Sequence, residues 1–221
     1  LTGFDVDLAR EIGKRAGFEL QFVCQAFEGL IPALSARKFD LILASLSITE
    51  ARQKSIDFSV PYRASTGRFV GPKGSKLEPV TADGKPNPKA LDGKVVGMIR
   101  ASTYDRYFTE QFPGVQISRY ENYETLLLDL ISGRVDLIMA GPIKMEGFFE
   151  DKQGKDFAFV GPELESIKYF GPGVGVGLRK NEPELLAKVD EALKGMFADG
   201  TFKAINRKYW KFTVMPSVWA D

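Results

Sequence analysis

The sequence contains no histidine and a single cysteine. Without histidine it lacks the commonest general base and metal ligand, so no metal site is expected. One cysteine, Cys24, can form neither an internal disulfide nor a CxxC site, and a Cys–His dyad is excluded. Cys24 stands in LQFVCQAF and reads as a buried structural thiol. There is little net charge either. Thirty Lys and Arg face 29 Asp and Glu, a formal +1, which argues against nucleic acid or an anionic membrane as partner. No apolar run reaches the roughly 18 residues of a membrane span, and no leader peptide is recognisable. Because Leu1 rather than Met comes first, directly on TGFDVDLAREI, the true start is expected to lie upstream. What remains is ordinary globular composition, 44% hydrophobic and 27% charged, able to bury a core. A chain of 221 residues fits one large domain or two small lobes.

The pattern along the chain is α/β. FDVDLAREIGKRAG places Val6, Leu8, Ala9 and Ile12 at helical spacing before a Gly stop. ELQFVCQ reads as a strand, and LIPALSARK as a helix with Pro32 in its first turn. FDLILAS is a nearly continuous apolar strand, as in a sheet covered on both faces. A helix around EARQK and an extended DFSVPYRASTGRFVGPK follow. Residues 71 to 93, rich in Gly, Pro and Lys, read as a surface connection where the chain could leave one lobe for another. Then KVVGMI, VQISRY and VDLIMAG are strands, with helices at ASTYDRYFTEQF and YETLLLDLISGR. DFAFVG and PGVGVGLRK are further strands. PELLAKVDEALKGMFADG and TFKAINRKYW are helices before an irregular tail.

One internal echo stands out. LIPALSARKFDLILAS (30 to 45) and LLLDLISGRVDLIMAG (126 to 141) superpose without a gap. Leu34 matches Leu130, Asp40 matches Asp136, and Ser45 matches Gly141. The distance is too long for a solenoid period. It points to two α/β lobes built alike, although buried helix–strand pairs draw on few residue types and look alike for that reason too.

Candidate site residues gather where strands end, the place where ligands sit in α/β proteins. LILASLSITEAR finishes in Ser45, Ser47 and Thr49, with Arg52 just beyond. Arginine suits a two-pronged grip on a carboxylate. Such a turn is an anion clamp or only a helix cap with a solvated arginine. MIRASTYDRY offers Ser102 and Thr103 at a second strand-to-helix turn, with the same two readings. Phe27 in QAFEGLIP either stacks on a ligand or fills the core. Glu28, Glu50 and Asp105 form no visible acid/base pair, and there is no GxSxG elbow or Walker loop. GPGVGVG fails the GxGxxG pattern and precedes no helix. No cofactor is expected.

The segments GFDVDLA, FEGLIPAL, KFDLILASLSITEARQKSIDFSVPY and YFGPGVGVGLRK, followed by DGTF and KYW, resemble the extracytoplasmic solute-binding proteins of polar amino-acid ABC importers. The likeness is greatest to the cluster that binds lysine/arginine/ornithine, histidine and opines. It covers nearly the whole chain. The resemblance implies two lobes joined by crossing strands near 68–73 and 173–179, hinging shut on a ligand. Lobe one would be 1–69 plus 176–221, and lobe two 70–175. The protein would be a periplasmic monomer whose partners are a small carboxylate ligand and a membrane permease. Arg52 would pair with the ligand's α-carboxylate, helped by Ser45, Ser47, Ser102 and Thr103, and Phe27 would stack on its side chain.

Four departures accompany the resemblance. The family's opening strand and loop are absent, which would leave a gap in lobe one's sheet. A cysteine pair of some relatives falls on Gly13 and Leu20, and a family serine on Ala44. The acid that accepts the ligand α-ammonium falls on Gly141. An enclosed ammonium without an anionic partner costs several kcal/mol. Either another carboxylate compensates, or the ligand has a substituted or absent α-amine, or binding has been lost or repurposed. Two rival functions share the scaffold: the ligand-sensing domain of a receptor, and an enzyme resembling the cyclohexadienyl dehydratases.

Overall fold

The computed structural model describes residues 1–216 and Trp219. In chain order its elements are α1 (Phe4–Ala16), α2 (Leu30–Ser35), β1 (Leu41–Ile42), α3 (Glu50–Gln53), β2 (Ile56–Phe58) and β3 (Gly67–Pro72). Next come β4 (Val95–Ile99), α4 (Thr103–Gln111), β5 (Gln116–Tyr120), α5 (Tyr123–Ile131), β6 (Leu137–Ala140) and α6 (Pro142–Glu150). The last are β7 (Phe157–Leu164), α7 (Ile167–Phe170), β8 (Gly177–Arg179), α8 (Pro183–Ala198) and α9 (Thr201–Arg207). They form two compact units. Unit 1 is Leu1–Gln25, Gly29–Ser65 and the chain from Gly171 onward; unit 2 is Ala26–Glu28 and Thr66–Phe170. The divisions fall after 65 and 170, whereas the sequence placed them after 69 and 175. Ala26–Glu28, expected with lobe one, group with unit 2. Part of the irregular tail expected after Trp210 lies outside the described residues.

Unit 1 is built on a small antiparallel sheet of order β1-β8-β2. Helix α1 turns Leu8 and Ile12 inward and carries Asp5 and Asp7 in its first turn and Lys14 and Arg15 in its last. That charge order complements the helix dipole, and Gly17, at φ 73°, ends the helix in the left-handed conformation. Helices α1, α8 and α9 pack together. Phe4 meets Phe202 edge-on at 5.7 Å and Trp210 at 4.8 Å.

Two expectations fail in this unit. Residues 18–26 form no strand, and Leu20, Phe22 and Val23 are exposed. Cys24 is exposed as well, not a buried thiol. A strand exists only where a neighbour takes up its N–H and C=O groups, and no described strand pairs with this segment. Leu20 is nevertheless seated on Gly13, where an added Cβ would lie 2.9 Å from Leu20 Cγ. FDLILAS gives only the two-residue β1, an edge strand rather than one covered on both faces.

Unit 2 matches its sequence pattern closely. Its sheet runs β5-β4-β6-β3-β7, with β4 parallel to β5 and β6, and β3 antiparallel to β6 and β7. Every residue of the central strand β6, LIMA, is buried. Leu137 and Met139 join a cluster with Phe69, Phe108 and Phe112, while Ile138 and Ala140 join another with Val70, Leu126 and Leu130. Alternation along one strand thus feeds two cores, one per face of the sheet. The segment 71–93 belongs wholly to unit 2, so it is not the connection between lobes. Its Val80 and Leu91 are buried in the first of these clusters, which a mere surface link would not do. Helix α6 went unread because Gly-Pro looks like a turn; Pro142 in fact opens the helix, where its missing N–H costs nothing.

Candidate functional site: two strand-end turns

In unit 1 the turn after β1 is held from two sides. Ser45 adopts a left-handed φ of 53°. Its N–H and its hydroxyl both donate to Asp5 Oδ2, at 2.8 and 3.0 Å. Tyr62, fully buried, donates its hydroxyl to the other Asp5 oxygen at 3.1 Å. Burial pushes the Tyr62 phenol well above its ordinary pKa, and the neighbouring Asp5 charge adds to this. It therefore stays a donor throughout the physiological range. Asp5 was not singled out in the sequence, because an acid in a first helical turn reads as dipole compensation. Here it fixes a non-glycine residue in a conformation that L-residues resist.

The other side is the glycine run. Ile48 N–H donates to Gly173 O at 2.8 Å, and Gly175 N–H donates to Leu46 O at 3.2 Å. A side chain at Gly171, which has φ 70°, would collide with the carbonyl of Ile48. GPGVGVG is thus a backbone-to-backbone brace for the serine loop, a role no nucleotide motif would suggest. Ser47 is buried, with its hydroxyl 2.9 Å from that of Ser65. Arg52 Nη1 donates to Ser47 O at 2.9 Å, which sets the guanidinium along the loop. Thr49 caps α3, accepting from Arg52 N–H at 3.3 Å. The structure thus brings Ser45, Ser47 and Arg52 onto one short, braced loop, with Ser65 beside them. The capping reading holds for Thr49.

In unit 2 the corresponding turn lies after β4. Ser102 caps α4, its Oγ accepting from Asp105 N–H at 3.1 Å. That bond uses an acceptor lone pair of the hydroxyl and not its donor hydrogen. Ala101 has φ 58°, and its N–H donates to Asp105 Oδ2 at 3.2 Å. Arg119 Nε donates to both Asp105 oxygens, at 2.9 and 3.1 Å. The buried Asp105 is therefore a brace for the turn, as Asp5 is in unit 1. Thr103 is buried at the start of α4. Gly141 ends β6 and caps α6. Since β4 and β6 are adjacent and parallel, the turns carrying Ser102, Thr103 and Gly141 leave the same end of the sheet, at the strands' C-termini. Phe27, half-buried, packs against the cluster containing Leu126 and Ile138. Glu28 beside it pairs with Arg100 at 3.2 Å. Among the described residues no group of acidic or cysteine side chains could hold a metal, and no helix is long and apolar enough to cross a membrane.

A two-sheet α/β chain whose polar loops stand at strand ends is the build of a ligand-binding protein. Residues 1–212 match the bacterial extracellular solute-binding proteins, family 3, and the chain belongs to that family. It is 40% identical over 220 residues to an L-arginine-binding protein of Pseudomonas aeruginosa, covering 98% of this chain and 82% of the relative. It is 33% identical to an octopine-binding periplasmic protein of Rhizobium meliloti, covering 98% and 85%. In three dimensions it resembles an ancestral arginine-binding protein bound to arginine, with TM-score 0.84 and 32% identity, covering 95% and 88%. These are binding proteins by name, neither enzymes nor receptors. The two-lobed α/β fold expected from the resemblance is that of these neighbours.

Proposed function

We propose that the chain captures an amino acid or amino-acid derivative outside the cytoplasmic membrane and delivers it to the permease of an ABC importer. The observation that carries this reading is the braced loop 45–52 in a chain of this family, with Arg52 set against Ser47. A guanidinium presents a planar fork of N–H donors matched to a carboxylate. Arg52 is the carboxylate partner. Ser47 supports it through the backbone carbonyl that orients it. Ser45 acts through the shape of the loop, since its hydroxyl is given to Asp5. In unit 2, Ser102 and Thr103 serve as hydroxyl donors to a ligand, and Phe27 stacks on a ligand side chain. The reading needs one chain, no metal and no nucleic acid.

A thermal-shift panel of arginine, lysine, histidine, glutamine, octopine and simple keto acids tests it. A ligand that binds only the folded form stabilises it by about 2.7 kcal/mol at a hundred times its Kd. At least one of these carboxylates is expected to raise the melting temperature in a concentration-dependent way. A flat response across the panel overturns the assignment.

A further inference from the structure

We propose that the carboxy-terminal tail, clipped by Asn206, is a positioning element for the Arg52 clamp. It fixes the outer edge of segment 59–65, whose last residue, Ser65, sets Ser47. This rests on the binding reading above and deepens it by naming what holds the loop in place.

Segment 59–65 leads from β2 toward β3 and is held along two edges. On the inner edge it meets the glycine run. Ser59 N–H donates to Val176 O at 2.9 Å, Tyr62 N–H to Val174 O at 2.8 Å, and Val174 N–H to Arg63 O at 2.7 Å. On the outer edge no described strand runs alongside. Backbone groups there need partners all the same, and α8 and the tail supply them. Val60 N–H donates to Asp190 Oδ1 at 2.8 Å. The Trp219 indole N–H donates to Pro61 O at 3.0 Å, and Ala64 N–H reaches Val214 O at 3.4 Å. Ser65 follows directly, its hydroxyl against that of Ser47, and the Ser47 carbonyl holds Arg52.

Asn206 is what turns the tail back. It lies in the last turn of α9 and is 3% exposed, where a side-chain amide needs bonded polar atoms. Both of its partners are backbone groups of the tail. Its Nδ2 donates to Phe212 O at 2.6 Å, and its Oδ1 accepts from Val214 N–H at 2.8 Å. An amide that grips backbone from both ends fixes where Val214 falls, whatever the side chains around it. Val214 is buried although Thr213 before it is exposed, so the tail is seated here rather than draped over the surface. Trp219 stacks on Phe197 of α8 with ring centroids 4.9 Å apart, which secures the second tail contact. The line from Asn206 to Arg52 thus runs through Val214, Ala64, Ser65 and Ser47.

The test combines amide hydrogen exchange with calorimetric titration of the full chain, for the parent, Asn206→Ala, Ser65→Ala, their double variant and Leu34→Ala. The probe is the panel carboxylate that shifts the parent's melting temperature most, L-arginine and octopine being tried first. In a folded protein, Asn206→Ala should weaken binding about fivefold and speed exchange at the Ala64, Ile48 and Gly175 amides. Ser65→Ala should weaken binding similarly, and the double variant no further than the stronger single one, because the two residues act in one line. Leu34→Ala, a buried change outside that line, should lower the melting temperature and keep the parent's affinity. If it weakens binding as much as Asn206→Ala does, lost stability explains the effect and the proposal falls. Parent affinity in Asn206→Ala, or multiplied losses in the double variant, also overturn it. Should Asn206→Ala fail to fold, Trp219→Phe decides the matter, since it keeps a ring on Phe197 and removes the N–H given to Pro61. About twofold weaker binding with faster Ala64 exchange supports the proposal, and parent values overturn it. A parent that binds no member of the panel overturns the binding reading instead, and exchange at Ile48 and Gly175 then decides whether the tail sets the loop.

Discussion

Two helix–strand pieces of this chain are near copies in sequence and differ in what they become. In 30–45 and 126–141, Leu34 and Leu130 occupy the same place and are both buried. Arg37 and Gly133 occupy the same turn position and both adopt positive φ, 58° and 73°. Asp40 and Asp136 each precede the strand and each hold a cation, Arg179 at 2.7 Å and Lys94 at 3.0 Å. Yet the second piece yields the four-residue, fully buried centre of a five-stranded sheet, and the first a two-residue edge. The difference is in the neighbours. β6 has β3 and β4 on its two sides, whereas β1 pairs with β8 alone among the described residues. An apolar run supplies the material for a strand, and partners decide its length.

The two pieces also diverge at their ends. Ser45 is bent into a left-handed conformation and tied to Asp5, while Gly141 is extended and leaves its room to Tyr104. One end is set by a hydrogen bond to an acid, the other by exclusion of a side chain.

The largest effects should come from the matched leucines. Leu34→Ala and Leu130→Ala should each cost about 2–5 kcal/mol in urea titrations, as buried leucines do. Similar losses at the two positions would support the equivalence of the two pieces, and a negligible loss at either would break it. Asp5→Ala comes next. It strips the Ser45 N–H and hydroxyl and the buried Tyr62 hydroxyl of their partner, so stability should fall by about 1–3 kcal/mol, with weaker ligand binding in calorimetry.

Acid sharpens the contrast at Asp136. Burial pushes its carboxyl up, but the Val95 N–H at 2.9 Å and Lys94 outweigh this and hold it below the ordinary value. A carboxylate with a depressed folded-state pKa contributes stability that is present at neutral pH and lost as pH falls through that pKa. The melting temperature should therefore drop below about pH 4, and Asp136→Asn should flatten that limb while lowering the neutral-pH value. An acid limb as steep as the parent's would contradict the assignment. The smallest effects belong to the paired turn. Gly133→Ala should destabilise by about 1–2 kcal/mol and Arg37→Gly should stabilise by less, since only glycine enters that conformation without strain. Equal and negligible shifts in thermal melts would show that the shared φ carries no energy.

Much of this fold was legible in the residues. Helix α1 announced itself through its spacing and Gly17, and β4, β5 and β6 through short apolar runs between turn signals. Where the reading failed, the cause was tertiary. ELQFVCQ has the composition of a strand but no described neighbour to pair with, and Val80 and Leu91 lie in a Gly- and Pro-rich stretch that hides their place in a core. The first-unit residues Ser45, Ser47 and Arg52 were legible because hydroxyls and a cation crowd one strand end. The groups that brace them, Asp5, Ser65 and the 171–177 glycines, come from distant sequence. Tyr104 was invisible for another reason. An aromatic near a helix start reads as packing, and its approach to Gly141 shows only in three dimensions.

The most direct test of the central claim is calorimetric titration of Arg52→Ala with whichever panel carboxylate the parent binds. Removing a charge-assisted partner of an enclosed carboxylate should cost roughly 2–5 kcal/mol of binding free energy, measured on a variant shown by its circular dichroism and melting curve to be folded. Parent-like affinity in a folded Arg52→Ala protein would contradict the carboxylate clamp on which the account rests.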